Sequence, residues 1–207
     1  MSTWSDKNQL FLSIPVANIL TLTAYGEAAS EGGEGMLAVL NVIRNRAQYL
    51  NEFGDTEIYN LTSSPYHAVI LKQYQFSMFN IGNPVRPIAE RIANNFEAEV
   101  QANSNLALAY SLSQMLLANA VNDNTGGATH YHATYVSPSW AKVFPVTGQI
   151  GQHIFYASRT IAPLAILTAG LAPEEIVPLE AGLGSSPLVI ILLLGMIGGV
   201  VYSFFRR

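Results

Sequence analysis

Gly127-Ala128-Thr129-His130-Tyr131-His132-Ala133-Thr134-Tyr135-Val136 is where this chain stops reading as helix and starts reading as strand. The run Asn122-Asp123-Asn124-Thr125-Gly126-Gly127 just before it is a strong turn signal, since Asn, Asp and Gly tolerate the conformations that reverse a chain. From Thr129 to Val136 the β-branched and aromatic content is that of a short strand. Gln152 to Tyr156 supplies a partner, with Pro138 to Gly148 as the connection. The preceding periodic segments are helical, so this one stretch decides for a mainly α, α+β domain with a small β-ribbon.

Working upstream, Val16 to Ala28 places Ile19, Leu22, Thr23 and Gly26 on one face at helical spacing, with Pro15 tolerated at the first turn. Glu27 falls near the end of that helix. Ser30-Glu31-Gly32-Gly33-Glu34-Gly35 should break it. A second helix carries Met36, Leu40, Ile43 and Ala47 on one face, with Arg44 and Arg46 near its end, where positive charge suits the helix dipole. Asn51 to Pro87 is punctuated by Pro65, Gly82, Pro84 and Pro87 and reads as a long loop with short helical pieces. Pro87 to Val121 reads as two helices meeting around Ala102-Asn103-Ser104-Asn105.

Composition narrows the function. Half the residues are apolar and 12% are charged, which is low for a soluble chain. A net charge of -4 offers no basic face, so nucleic-acid binding is not expected. With no cysteine there can be no disulfide or thiolate metal site. The N-terminus lacks a basic segment followed by an apolar run, so no ordinary secretory signal is expected.

The apolar excess is concentrated at the C-terminal end. Leu188 to Phe205 is an uninterrupted uncharged run closed by Arg206-Arg207. At about 1.5 Å rise per residue it just spans a hydrocarbon core of about 30 Å. This predicts three parts: a catalytic domain over 1–159, a Pro/Gly-containing linker over 160–186, and a transmembrane helix with a basic end over 187–207. Gly195 and Gly199 make a small-xxx-small spacing that permits close helix contact, and hence a homo-oligomer.

Glycoside cleavage needs a proton donor for the leaving oxygen and stabilisation of an oxocarbenium-like centre. A carboxyl in a partly apolar setting keeps its proton near neutrality and suits the first task. Glu27, between small neighbours, is the candidate. Glu31 and Glu34 are the nearest candidates for a second carboxylate. His130 and His132, two apart on a strand, have a metal-ligand spacing but no evident third ligand, so no metal and no cofactor is expected. Hydrogen-bonding roles towards the glycan or Glu27 suit these two histidines better, beside a purely structural role. Tyr131 and Trp140 suit stacking on sugar rings or core packing. His67 and His153 carry no independent signal.

Tyr25-Gly26-Glu27-Ala28 with Glu31, Gln75-Phe76-Ser77, Gly127-Ala128-Thr129-His130-Tyr131-His132 followed by Pro138 and Trp140, and Ile150-Gly151-Gln152-His153-Ile154-Phe155-Tyr156 stand in this order along the chain. In that order they resemble the motifs of the SleB-type cell wall hydrolases, over about Asn18 to Tyr156. The resemblance implies a lysozyme-like fold around one catalytic Glu, carried here by Glu27. Tyr25, Glu31, Gln75, Ser77, Thr129, His130, Tyr131, His132 and Trp140 would bind substrate or support the site. The implied activity is cleavage of the MurNAc-GlcNAc strand of peptidoglycan, as a lytic transglycosylase or a muramidase-type hydrolase. Combined with the tail, it predicts a membrane-anchored enzyme at the bacterial cell wall, carried in a phage virion to aid genome entry and meeting other virion proteins. Two rivals stand beside it: a host tail-anchored wall-remodelling hydrolase, and a structural virion or membrane-channel protein whose lysozyme-like domain is inactive.

Overall fold

A computed structural model describes Trp4 and residues 6–158. Nine helices are described there: α1 (Gln9–Ser13), α2 (Val16–Ala28), α3 (Gly32–Ala47), α4 (Leu50–Phe53), α5 (Thr56–Thr62), α6 (Pro65–Ile70), α7 (Arg86–Asn94), α8 (Phe96–Ala102) and α9 (Ser104–Leu117). Three strands follow: β1 (His130–Ala133), β2 (Val146–Ile150) and β3 (His153–Tyr156). The mainly helical α+β expectation is met. The expected linker and the apolar run Leu188 to Phe205 lie outside the described residues. Among the described residues no helix is long and apolar enough to cross a membrane.

Helix α2 runs through the middle of the helical layer. Val16, Ala17, Ile19, Leu20, Leu22 and Ala24 are all buried, which is most of its circumference rather than the one face its periodicity suggests. A helix apolar nearly all round must be surrounded, and α3, α6 and α9 pack against it. Each fully buried aliphatic side chain contributes about 1.5–3 kcal/mol through apolar area removed from water. The two interior hydroxyls cause no penalty: Thr21 and Thr23 donate to the carbonyls of Ala17 and Ile19, each at 2.7 Å.

The break after α2 is shorter than the glycine cluster suggests. A 3₁₀ turn spans Ala29–Glu31, Gly32 takes φ +68°, and Gly33, Glu34 and Gly35 already form the first turn of α3. Gly35 is there for space. A Cβ on it would sit 2.5 Å from Glu31 Cβ and 3.0 Å from Glu31 Oε2.

Two further expectations are corrected. The segment 51–87 is richer in helix than a long loop, because its starts are capped. Asp55 accepts from the Ile58 amide, and Ser64 accepts from the His67 amide with Pro65 at the first helical position. Beyond Pro87 there are three helices, not two. Asn103 starts the last by accepting from the Asn105 and Leu106 amides.

The expected two-stranded ribbon is a three-stranded antiparallel sheet of order β1-β3-β2. The missed strand, β2, starts inside the segment read as a connection. It pairs with β3 through a two-residue hairpin at Gly151-Gln152. Gly151 has φ +54° at the first position, the pattern of a type II′ turn that follows the strand twist.

The sheet has two unlike faces. Tyr131 opposes Phe155 in register, and alternation puts His153 on their side. This inner face packs on α3: Phe155 clusters with Ala38, Val42 and Ala128, and Tyr131 and Ile150 pack against them. His130, His132 and Tyr156 point the other way.

Candidate active site

Glu27 sits in the last turn of α2, where the helix emerges from the core opposite the inner face of the sheet. Tyr131 on β1 donates its phenolic hydrogen to Glu27 Oε2 at 2.9 Å. Burial raises the Glu27 pKa above its ordinary 4.5, against the Tyr131 hydrogen bond and the charges of His153 and Arg46, which pull it down. The Tyr131 hydroxyl is itself pushed well above 10 by burial and by the neighbouring Glu27 charge, so it stays a donor. The pair is therefore a carboxyl biased towards its protonated form, held by a phenol that does not ionise.

Arg46, which sequence reasoning left at the end of a helix, lies beneath this pair. It is only 8% exposed. Its Nε donates to the Thr129 carbonyl at 2.6 Å and its Nη1 to Gln75 Oε1 at 2.7 Å. The guanidinium carbon stands 5.6 Å from the Phe53 ring centre and 5.8 Å from that of Phe76. Arg46 therefore joins the middle motif to the Gly127–His132 motif and places a positive charge near Glu27. Its neighbours on α3 do the same for the turn before β1. Asn45 donates to Asp123 Oδ2 and the Ala128 carbonyl, and Asn41 donates to Asn122 O and Asn124 Oδ1. Asp123 closes that turn from within. Burial opposes its charge, but hydrogen bonds from Thr125, Asn45 and Gly127 outweigh it and hold its pKa below the usual value.

The second carboxylate candidate, Glu31, is engaged elsewhere. Its Oε1 accepts from the Gln152 amide at 3.0 Å, and its Oε2 lies 3.0 Å from His153 Nδ1. The carboxylate rests against two glycines, because a Cβ on Gly151 would come within 2.8 Å of Oε2. Glu31 thus pins the tip of the β2–β3 hairpin to the start of α3. His153 adds a ring packed edge-on to Tyr131, centres 5.2 Å apart. His153 was missed because its signal is tertiary: only the register that sets Tyr131 opposite Phe155 puts it on the inner face. Glu34 is exposed and accepts from Asn124.

The remaining expected site residues separate. His130 and His132 lie on the outer face and neither bonds Glu27. His130 packs among Phe53, Trp140 and Phe144, centres 4.8–5.6 Å away. Burial and the Arg46 charge press its pKa down to about 4, so it is neutral. His132 stacks on Tyr156, and its Nε2 lies 2.9 Å from the Tyr156 hydroxyl. Trp140 stands on the same face, against both histidines and Tyr156. Thr129 is fully buried, its hydroxyl shared with His130 and Ser158. Tyr25, two residues before Glu27 and so on a different side of α2, accepts from Asn103 at 2.9 Å. Ser77 is exposed in a 3₁₀ turn. Gly26 is exposed, and a Cβ on it would meet Met78 Sδ at 2.5 Å. Among the described residues no group of three or more His, Cys, Asp or Glu could hold a metal ion.

A family model described as Cell Wall Hydrolase matches residues 30–156, more than half of the chain. The chain belongs to the cell wall hydrolase family, and it is an enzyme that acts on peptidoglycan. The match begins three residues after Glu27, at the turn into α3, and takes in Arg46, Gln75, Tyr131 and His153. No curated protein and no solved structure matches significantly.

Proposed function

Starting from membership of the cell wall hydrolase family, we propose that the chain cuts the MurNAc-GlcNAc strand as a lytic transglycosylase with Glu27 as its one catalytic carboxyl, in a lysozyme-like arrangement. The observation that carries this reading is the contrast between the two carboxyls. Glu27 has a raised pKa and one hydrogen bond from Tyr131, whereas Glu31 is tied to His153 and to the hairpin backbone. Glu27 is the carboxyl better suited to give a proton, while Glu31 has a structural occupation.

In the proposed reaction Glu27 gives its proton to the glycosidic oxygen as the C1–O bond of the muramic residue breaks. The C6 hydroxyl of the same sugar then closes onto C1, and the Glu27 carboxylate takes the hydroxyl proton. The product is a 1,6-anhydro end, and Glu27 is restored to its starting form. Tyr131 keeps the carboxyl oriented through both proton transfers. Arg46 and His153 favour the carboxylate formed midway.

The domain division proposed is a catalytic part over 1–159, a linker over 160–186 and an anchoring tail over 187–207. The tail would hold the enzyme at a membrane-adjacent wall, where tethering raises its local concentration on the glycan. A phage particle is the setting we propose, with genome entry as the purpose. Enrichment of the protein in purified particles tests that point separately.

The activity is tested by mass spectrometry of purified peptidoglycan digested with the full chain, beside Glu27→Gln. Anhydro-muropeptides from wild type alone support the proposal. Reducing ends mean hydrolysis and a second general base. Intact glycan from both proteins, across several peptidoglycan types, replaces the proposal with a structural role.

A further inference from the structure

The loop that feeds Gln75 and Phe76 to Arg46 also borders a separate cavity of about 370 Å³, lined by Trp4, Lys7, Gln73, Tyr74, Asn80 and Ile81. That volume falls within the usual range for small-molecule sites. We propose that this cavity is a second glycan-binding pocket, which takes an N-acetylated sugar of the strand away from the bond being cut. The proposal rests on the reading above for the choice of glycan.

The lining chemistry suits a sugar. Two aromatic residues offer the apolar surfaces on which pyranose C–H groups settle, two carboxamides offer paired donors and acceptors for hydroxyl and acetamido groups, and Lys7 meets a carboxylate such as that of a lactyl or peptide substituent. Neither histidine nor acid lines the cavity, so binding rather than acid-base chemistry is its natural work.

The walls are built in advance. Trp4 is fixed by its indole N–H, which donates to the Leu71 carbonyl at 2.7 Å. The N-terminal segment and the 73–81 segment share one buried clamp, Arg86. Its Nη2 donates to the Lys7 carbonyl at 2.7 Å, and its Nη1 donates to Asn8 Oδ1 at 2.8 Å and to the Phe79 carbonyl at 2.5 Å. The ring of Phe11 lies against the same guanidinium.

Tyr74 is the most telling lining residue. It has φ +67° and is 79% exposed. Ser63 and Asn119, the other non-glycine residues with positive φ among those described, lie at the ends of α5 and α9, where a left-handed residue is the usual stop. Tyr74 ends no helix. Its amide reaches Asn80 Oδ1 at 3.3 Å, which holds the turn closed, and glycine would adopt this backbone with less strain. A large aromatic kept in a strained turn with its ring in solvent has no packing purpose, and strain of this kind gathers at binding sites.

The test uses the full-length chain carrying Glu27→Gln, so that ligand survives, titrated with a dimer and a hexamer of N-acetylglucosamine. The expected result is that adding Tyr74→Gly weakens hexamer binding about tenfold, the loss of one stacking contact, while Tyr74→Phe keeps it. Glycine suits the positive φ, so the turn itself is preserved. The Trp4 indole N–H resonance should move on titration with hexamer. Hexamer binding indifferent to Tyr74→Gly, or a Trp4 resonance that stays still, overturns the pocket. Cleavage of peptidoglycan by wild type is read separately. Absent cleavage with Tyr74-dependent binding leaves the pocket standing and removes the lyase reading.

Discussion

The two faces of one small sheet carry the same kinds of residue and do different work. The inner face brings Tyr131 to Glu27 at 2.9 Å and sets His153 between Tyr131 and Glu31. The outer face gathers His130, His132, Trp140 and Tyr156 into an aromatic cluster whose rings pack on one another. The lesson is that a histidine or tyrosine acquires a role from the charge it faces. Alternation along β1 deals neighbouring residues to opposite surfaces, so His130-Tyr131-His132 is one motif in sequence and two environments in space.

The contrast breaks most sharply at Glu27. Glu27→Gln should lower glycan cleavage by roughly a thousandfold, within the range for loss of general acid catalysis, with the fold intact by circular dichroism. The same variant should melt higher than wild type at neutral pH. Below 4.5 the carboxyl holds its proton in both folded and unfolded chains, so the two proteins melt alike there. As pH rises from 4.5 through the raised folded value, wild type loses stability that Gln keeps. Equal melting temperatures at pH 7 would mean that Glu27 is not held in a charge-averse site.

Tyr131→Phe is next. Losing a hydrogen bond to a charged group should lower kcat roughly tenfold. Because that bond holds the Glu27 pKa down, its removal raises it further, and the alkaline limb of the pH–rate profile should move to higher pH. An unmoved limb would separate Tyr131 from the acid.

Glu31→Gln sharpens the single-carboxyl reading. It should keep activity within about threefold and cost roughly 1 kcal/mol of stability, the value of a partly buried pair and its hydrogen bonds. A loss as deep as that of Glu27→Gln in a folded protein would make Glu31 a second catalytic group. The smallest effect on activity is expected across the sheet. His132→Phe keeps the stacking on Tyr156 and loses two hydrogen bonds, one with the Ala133 carbonyl and one with the Tyr156 hydroxyl, so it should cost about 2 kcal/mol in stability with kcat almost unchanged. A large fall in kcat would erase the distinction between the faces.

A last difference concerns acid. His67 is buried, its Nε2 lies 3.1 Å from the Ile14 carbonyl, and its Nδ1 has no partner, so burial lowers its pKa to about 4. His67 alone should therefore withdraw about 3 kcal/mol of stability as pH drops from 6.5 towards 4, and His67→Gln should remove that part of the slope in acid melts.

The sequence by itself determined helices α2 and α3, the turn at Asn122–Gly127, the candidacy of Glu27 and the kinship with wall hydrolases. These are local matters, carried by hydrophobic period, turn-forming residues and motif order. It also marked Tyr131 but could not aim it. What only the tertiary structure decided depends on long-range register and burial. The third strand, β2, carries Gly148 at its centre and pairs along the edge of β3 that β1 leaves free. Arg46, Asn45 and Asn41 look like surface residues near a helix end, yet they are buried because the backbone turn leading to β1 needs donors beneath it. His153 has no local mark, and it becomes part of the site when strand pairing sets it between Tyr131 and Glu31. Proximity of this kind is a property of the folded chain, since the partners stand 104 and 122 residues apart in sequence.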